Sequence, residues 1–255
     1  MTEQGYGLKE MNVIDLTLEL CPTIIRSDGT RIYAKPSPGL TWDETEKNFG
    51  QGYKHLLLRQ VINADDQHWM HYVECESHLG THVEVGSHLR FVNRKRVSDK
   101  SLLSVSELPV ETWFGEASVF NFERKGPIRG KRQKIEPIDL EKVKKRDIVL
   151  MCSPYSENEA PILTEESVRY LIDDKAIKQL GGVFPFQGVF AAGENAGAQG
   201  YNLHDALLEN NIPIIEGLIG LKRIKKERVI YIGLPLNMQG LDGCPIRAVV
   251  LEERD

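Results

Sequence analysis

The segment Ser77-His78-Leu79-Gly80-Thr81-His82-Val83-Glu84-Val85-Gly86-Ser87-His88 gathers residue types that bind metals and move protons. The chain has seven histidines, and three of them fall in this run. His78, His82, Glu84 and His88 all occupy even positions. Extended chain therefore sets them on one face, whereas a helix would turn the last two away from the first two. Gly80, Thr81, Val83, Val85 and Gly86 favour extended chain. A straight strand would hold His78 and His82 about 13 Å apart. They could not then share an ion, whose nitrogen ligands lie about 2 Å away. The chain must bend between them, and Gly80 is where a bend costs least. Gly86 offers a second bend before His88.

Two imidazoles and a carboxylate form a borderline ligand set suited to zinc, manganese or iron(II). Three protein ligands leave coordination positions open for water. An ion held this way brings the pKa of its water near neutrality and polarises a carbonyl. His88, just beyond the three ligands, is placed to shuttle protons. The competing reading is a structural ion, which usually takes four protein ligands, often cysteines. Cys21, Cys75, Cys152 and Cys244 do not match that spacing. They read as scattered reduced thiols, most of them packed as small hydrophobes. His55, His68 and His71 sit on or beside predicted strands without a partner pattern, and are read as ordinary strand residues.

The elements that must position these groups follow from periodicity. Residues 13–18 read as a short strand. Between residues 21 and 52, Pro22, Pro36, Pro38, Gly39, Gly50 and Gly52 punctuate a long loop, a kind that is often functional. Trp42 and Phe49 within it either anchor the loop on the core or wall a substrate pocket. Residues 53–62 and 69–75 read as the strands of a hairpin, and residues 118–122 as another strand. Pro137 opens a predicted helix through Lys145, with Ile138, Leu140 and Val143 inward. Residues 147–152 suit a buried strand. Thr164 is the expected N-cap of a helix over 165–173, and its two glutamates fall in the first turn, where the helix dipole favours them. A strand at 183–186, a helix capped by Asn202 through Glu209, and strands at 212–215, 229–233 and 247–251 complete the chain. Strands dominate the first half, and helices alternate with strands in the second. That pattern predicts one mixed α/β domain over residues 1–255.

Composition bounds the partners. With 255 residues, 41% hydrophobic and 27% charged, the chain can bury a large core. A formal net charge of −5 argues against general binding to nucleic acid or anionic membrane, since both need a basic surface. The first twenty residues lack a basic segment followed by an apolar one, so no secretory signal is read there. Residues 212–221 are broken by Glu216 and too short to span a bilayer. The expectation is a cytoplasmic enzyme acting on a small molecule.

The histidine segment resembles the H-x-G-T-H-x-D-x-P-x-H signature of the cyclase family, the bacterial kynurenine formamidase-type metal-dependent hydrolases. His78, Gly80, Thr81, His82 and His88 carry that match. Further segments are similar to the same family: Asp15-Leu16-Thr17, Asp147-Ile148-Val149-Leu150, and His204 followed by Asn211-Ile212-Pro213-Ile214-Ile215-Glu216. Near the end, Leu234-Pro235-Leu236 and Asp242-Gly243-Cys244-Pro245-Ile246-Arg247 resemble its L-P-L and D-G-S-P-x-R stretches. The resemblance implies a swivelling β/β/α fold, a partly open β-barrel with outer helices. It implies hydrolysis of amides such as N-formylkynurenine or the lactam of isatin, one or two zinc or manganese ions per subunit, and a homodimer or homotetramer. By position, His78, His82 and Glu84 would be first-metal ligands, His204 and Glu216 would complete a second ion site, and His88 would be the catalytic acid/base.

The residues themselves agree about the second site. Glu216 closes an apolar strand, and an inward carboxylate there needs a partner or a metal. Three departures from the family pattern stand out. Glu84 replaces aspartate, Gly86 replaces proline, and Gly181-Gly182-Val183-Phe184-Pro185-Phe186 lacks the usual G-x-D. The expected reaction is attack of metal-activated hydroxide on a small linear or cyclic amide. The alternatives are a metal-dependent cyclisation, lyase or lactone-opening step, or a binding protein that kept the fold without the chemistry. The retained His88 speaks against the last. The glycine-rich stretch 188–200 matches no phosphate loop, and Glu194 in it has no assigned role.

Overall fold

Ile148, Val149, Leu150, Met151 and Cys152 are apolar without a break, the pattern of a strand covered on both faces. A computed structural model of the chain agrees. All five are buried, with Ile148, Leu150 and Cys152 in one apolar cluster and Val149 and Met151 in another. That split is the two-residue alternation of a strand. The structure describes residues 10–20, 23–25, 31–33, 56–62, 69–89, 91–92, 95–96, 102–156, 159–183 and 203–254. The expectations for Trp42, Phe49, His55, His68, Asn202 and the stretch 188–200 lie outside these residues.

In chain order the strands are β1 (Met11–Asp15), β2 (Thr23–Ile25), β3 (Arg31–Tyr33), β4 (Leu57–Ile62), β5 (Trp69–Glu74), β6 (His82–Glu84), β7 (Phe91–Val92), β8 (Lys95–Arg96), β9 (Phe114–Asn121), β10 (Lys134–Ile135), β11 (Ile148–Cys152), β12 (Ile162–Leu163), β13 (Gln179–Val183), β14 (Ile214–Leu218), β15 (Arg228–Leu234), β16 (Gly243–Pro245) and β17 (Arg247–Glu253). The chain divides into two compact units. One is Met1–Thr17 with Thr81–Asp255, and the other is Leu18–Gly80.

The larger unit is built on one mixed sheet, ordered β1-β17-β15-β9-β11-β13-β14-β6-β16. Its centre, β9-β11-β13-β14, is parallel. Parallel neighbours need a crossover longer than a hairpin. The helix Glu165–Arg169 lies in the chain between β11 and β13, and the helix Leu203–Glu209 between β13 and β14. Thr164 caps the first as expected, its Oγ1 accepting the Ser167 N–H at 3.1 Å. The flanks are antiparallel: β15, β17 and β1 on one side, β6 and β16 on the other.

The predicted helix over 137–145 is not there. Only one tight turn, Pro137–Leu140, forms. Leu140 and Val143 are buried as expected, but Ile138 is exposed. The Asp147 carboxylate accepts the Lys144 N–H at 2.8 Å, and such side-chain capture of a backbone donor competes with helix continuation.

The smaller unit carries a four-stranded sheet, ordered β3-β2-β4-β5. The predicted hairpin is present, with β4 and β5 antiparallel in register from Leu57 opposite Glu74 to Ile62 opposite Trp69. His71 lies exposed on β5.

Candidate metal centre

The histidine segment is not one straight strand. Ser77 and His78 sit in a turn, β6 spans His82–Glu84, and Gly86–His88 form a tight turn. Gly80 takes a left-handed φ of 62°, a conformation glycine adopts without strain. A Cβ there would also lie 2.4 Å from Leu20 Cδ2. The bend expected at this glycine is therefore observed. Gly86 answers a different need. A Cβ at that position would come within 2.5 Å of Asn211 Oδ1 and 3.0 Å of the Leu208 carbonyl. A larger residue would have to displace Asn211, whose Oδ1 accepts the Leu103 N–H at 2.8 Å, and this crowding accords with glycine at position 86.

β6 is wholly buried and lies between β14 and β16. Alternation puts His82 and Glu84 on the same face. The register sets Glu216 of β14 opposite His82, and directly opposed residues share a face. Glu216 thus lies inside its strand rather than at the end. Its Oε2 is 3.7 Å from His82 Nε2, and Glu84 Oε1 is 3.5 Å from the same nitrogen. On the other side, Gly243 of β16 stands opposite Glu84 and adds no side chain. Two hydrogen bonds at Thr81 hold the frame. Thr81 Oγ1 donates to the Gly217 carbonyl at 2.6 Å, and Ile246 N–H donates to the Thr81 carbonyl at 2.9 Å.

His204, in the first turn of the helix Leu203–Glu209, brings Nε2 to 2.7 Å from Glu84 Oε2. Its Nδ1 lies 3.2 Å from Asp205 Oδ1. Leu203, Ala206, Leu207 and Leu208 seat this helix in the core. Burial works against an imidazolium at His204. The hydrogen bond and charge of Glu84, joined by those of Asp205, outweigh it and hold the ring above the ordinary histidine range. His88 packs edge-on against His204, with ring centroids 6.0 Å apart. Glu84, His88 and His204 each offer one ligand atom, and the three atoms lie within 4.8 Å of one another.

The larger unit thus brings together His82, Glu84, His88, His204 and Glu216. Their oxygens and imidazole nitrogens are a donor set for a hard or borderline divalent ion. The buried Glu84 carboxylate, with the partly buried Glu216 nearby, favours a cation among them. His78 belongs to the smaller unit, where its Nδ1 lies 3.2 Å from Ser77 Oγ. Two residues with no role assigned from sequence join the centre. Asp205 contacts His204, and Asp242 Oδ2 lies 3.1 Å from His88 Nδ1. Asp205 follows His204 directly. Asp242 is 154 positions from His88, and only its Asp-Gly-Cys-Pro context marked it.

A family model described as "Putative cyclase" matches residues 14–182, and the chain belongs to that family. The fold is accordingly the swivelling β/β/α type expected, a mixed sheet curled into a partly open barrel with few helices. Isatin hydrolase A from Labrenzia aggregata, bound to benzyl benzoate, is a structural relative at 17% identity and TM-score 0.67, covering 96% of this chain and 95% of that one. An isatin hydrolase bound to the product analogue thioisatinate aligns with TM-score 0.64 at 17% identity, over 96% of this chain and 94% of its own. A potential metal-dependent hydrolase with cyclase activity aligns with TM-score 0.55 at 18% identity, over 96% and 100%. No curated protein matches the chain in sequence. The likenesses in fold extend well past residue 182 and so include the segments that carry His204, Glu216 and Asp242.

Proposed function

We propose that this protein is a divalent-metal-dependent hydrolase of a small linear or cyclic amide, of the arylformamide or lactam type. The observation that carries the reading is the convergence of Glu84, His88 and His204 within 4.8 Å, beside the buried His82 and the partly buried Glu216. Structural relatives described as an isatin hydrolase and as a potential metal-dependent hydrolase support the same class of reaction.

In this reading His82 and Glu84 would hold one ion, with His78 assigned to it by the motif alone. His204 and Glu216 would complete a second position, and the ions would be zinc or manganese. A divalent ion there supplies activated water and polarises the substrate carbonyl. The side chains do the rest. Glu84 offers both oxygens, one toward His82 and one toward His204. Asp205 orients the His204 ring through Nδ1. His88 takes a proton from the attacking water and returns it to the departing nitrogen as the C–N bond breaks. The products are a carboxylic acid and an amine, which a lactam would carry on one molecule.

The test is turnover of an aryl formamide, isatin and a matched lactone by the zinc-loaded chain and by its His82→Ala variant. The expected result is amide hydrolysis by the parent, with loss of both bound zinc and turnover in the variant. Unchanged turnover in His82→Ala, or action on the lactone alone, would reject the reading.

A further inference from the structure

We propose that Asp242 is the positioning residue for His88, fixing its ring in the tautomer with the proton on Nδ1 and the lone pair on Nε2. This rests on the reading of His88 as the acid/base. A carboxylate only accepts hydrogen bonds, so the 3.1 Å contact between His88 Nδ1 and Asp242 Oδ2 requires the proton on Nδ1. In the neutral ring Nε2 then carries the lone pair.

The backbone makes this contact a fixed one. Asp242 directly precedes β16, whose Gly243 and Cys244 pair with Glu84 and Val83. The Val85 peptide is held from both ends: its N–H donates to the Asp242 carbonyl at 3.0 Å, and its carbonyl accepts the His88 N–H at 2.9 Å. Leu241, one residue earlier, accepts the Val105 N–H at 2.9 Å through its carbonyl. The ladder that carries Glu84 therefore also sets the distance from the Asp242 carboxylate to the His88 ring. Neither loop can drift without breaking β6 from β16.

Exposure separates a positioning role from a structural one. The side chains of His88 and Asp242 are 36% and 38% exposed. An ion pair in that setting adds little to stability. What the contact does deliver is a choice between two ring tautomers, which matters only if Nε2 does chemistry.

The test is Asp242→Asn, made in the parent and in His88→Ala. The amide can turn its NH2 toward Nδ1 and so favour the opposite tautomer. Long-range nitrogen–proton NMR of the zinc-loaded full chain in mildly alkaline buffer reads the His88 tautomer directly. The parent should show Nδ1–H, and Asp242→Asn should shift the ring toward Nε2–H. Turnover of aryl formamide should fall roughly 100-fold in kcat, with KM and zinc content unchanged. Asp242→Asn should cost nothing further in His88→Ala. An Nε2–H ring in the parent, an unmoved tautomer in the variant, or an equal loss in the His88→Ala background would overturn the proposal. A parent with the Nδ1–H ring but no amide turnover would overturn the proposed function while leaving the His88–Asp242 pairing in place.

Discussion

Glu84 reaches two imidazoles that come from different elements. Its Oε2 lies 2.7 Å from His204 Nε2 on a helix, and its Oε1 lies 3.5 Å from His82 Nε2 on its own strand. An aspartate here would be shorter by one carbon–carbon bond, about 1.5 Å, and could not hold both contacts from the same backbone. We expect Glu84→Asp to weaken zinc binding roughly tenfold or more, measured by competition against a chelator of known affinity. Undiminished affinity would mean that the longer stem is incidental. The sequence marks Glu84 as a departure from the family pattern. It does not reveal the reason, because the distance from β6 to the helix is set by packing. Gly86 has the same history. In sequence it reads as a second bend before His88, whereas in the fold a Cβ there would crowd Asn211 Oδ1 and the Leu208 carbonyl.

At the scale of elements, one buried carboxylate pins three adjacent strands. Asp147, at the start of β11, accepts Ser118 Oγ of β9 at 2.6 Å and the Arg228 guanidinium of β15, with Nη2 to Oδ1 at 3.0 Å. Its aliphatic neighbours leave it 3% exposed. Removing it takes the buried acceptor from the Ser118 hydroxyl and leaves the guanidinium only Glu116 and Ser118 as partners. We expect Asp147→Ala to cost about 3 kcal/mol in urea unfolding, at the lower end for a broken buried pair because Arg228 retains some solvent. A loss below about 1 kcal/mol would contradict this account of the sheet. The same carboxylate explains what sequence could not foretell. Apolar spacing predicted a helix over 137–145, but Asp147 takes the Lys144 N–H and the chain stops after one turn. Strands survived the comparison better. β11, β15 and β17 announce themselves through unbroken or alternating apolar residues, since burial on a sheet leaves that signature directly in the sequence. The strand of the motif was misleading in length. β6 holds only His82–Glu84, because the turns at Gly80 and Gly86 interrupt a pattern that alternates right through them.

For the molecule as a whole, the α/β class and the residue types that gather at the centre were legible, and the sheet order was not. Nothing local in the sequence says that β14 and β16 flank β6, yet that register sets Glu216 opposite His82 and carries Asp242 to His88. The site is thus written in segments far apart in the chain and assembled by one sheet. No helix among the described residues is long and apolar enough to cross a membrane. Under the proposed function, this assembled centre hydrolyses an amide only when it holds a divalent ion. The direct measurement is aryl formamide turnover as zinc is titrated into chelator-stripped protein. We expect no turnover at the start and a rise that saturates at one or two equivalents of zinc per chain. Full turnover with chelator present throughout would contradict it.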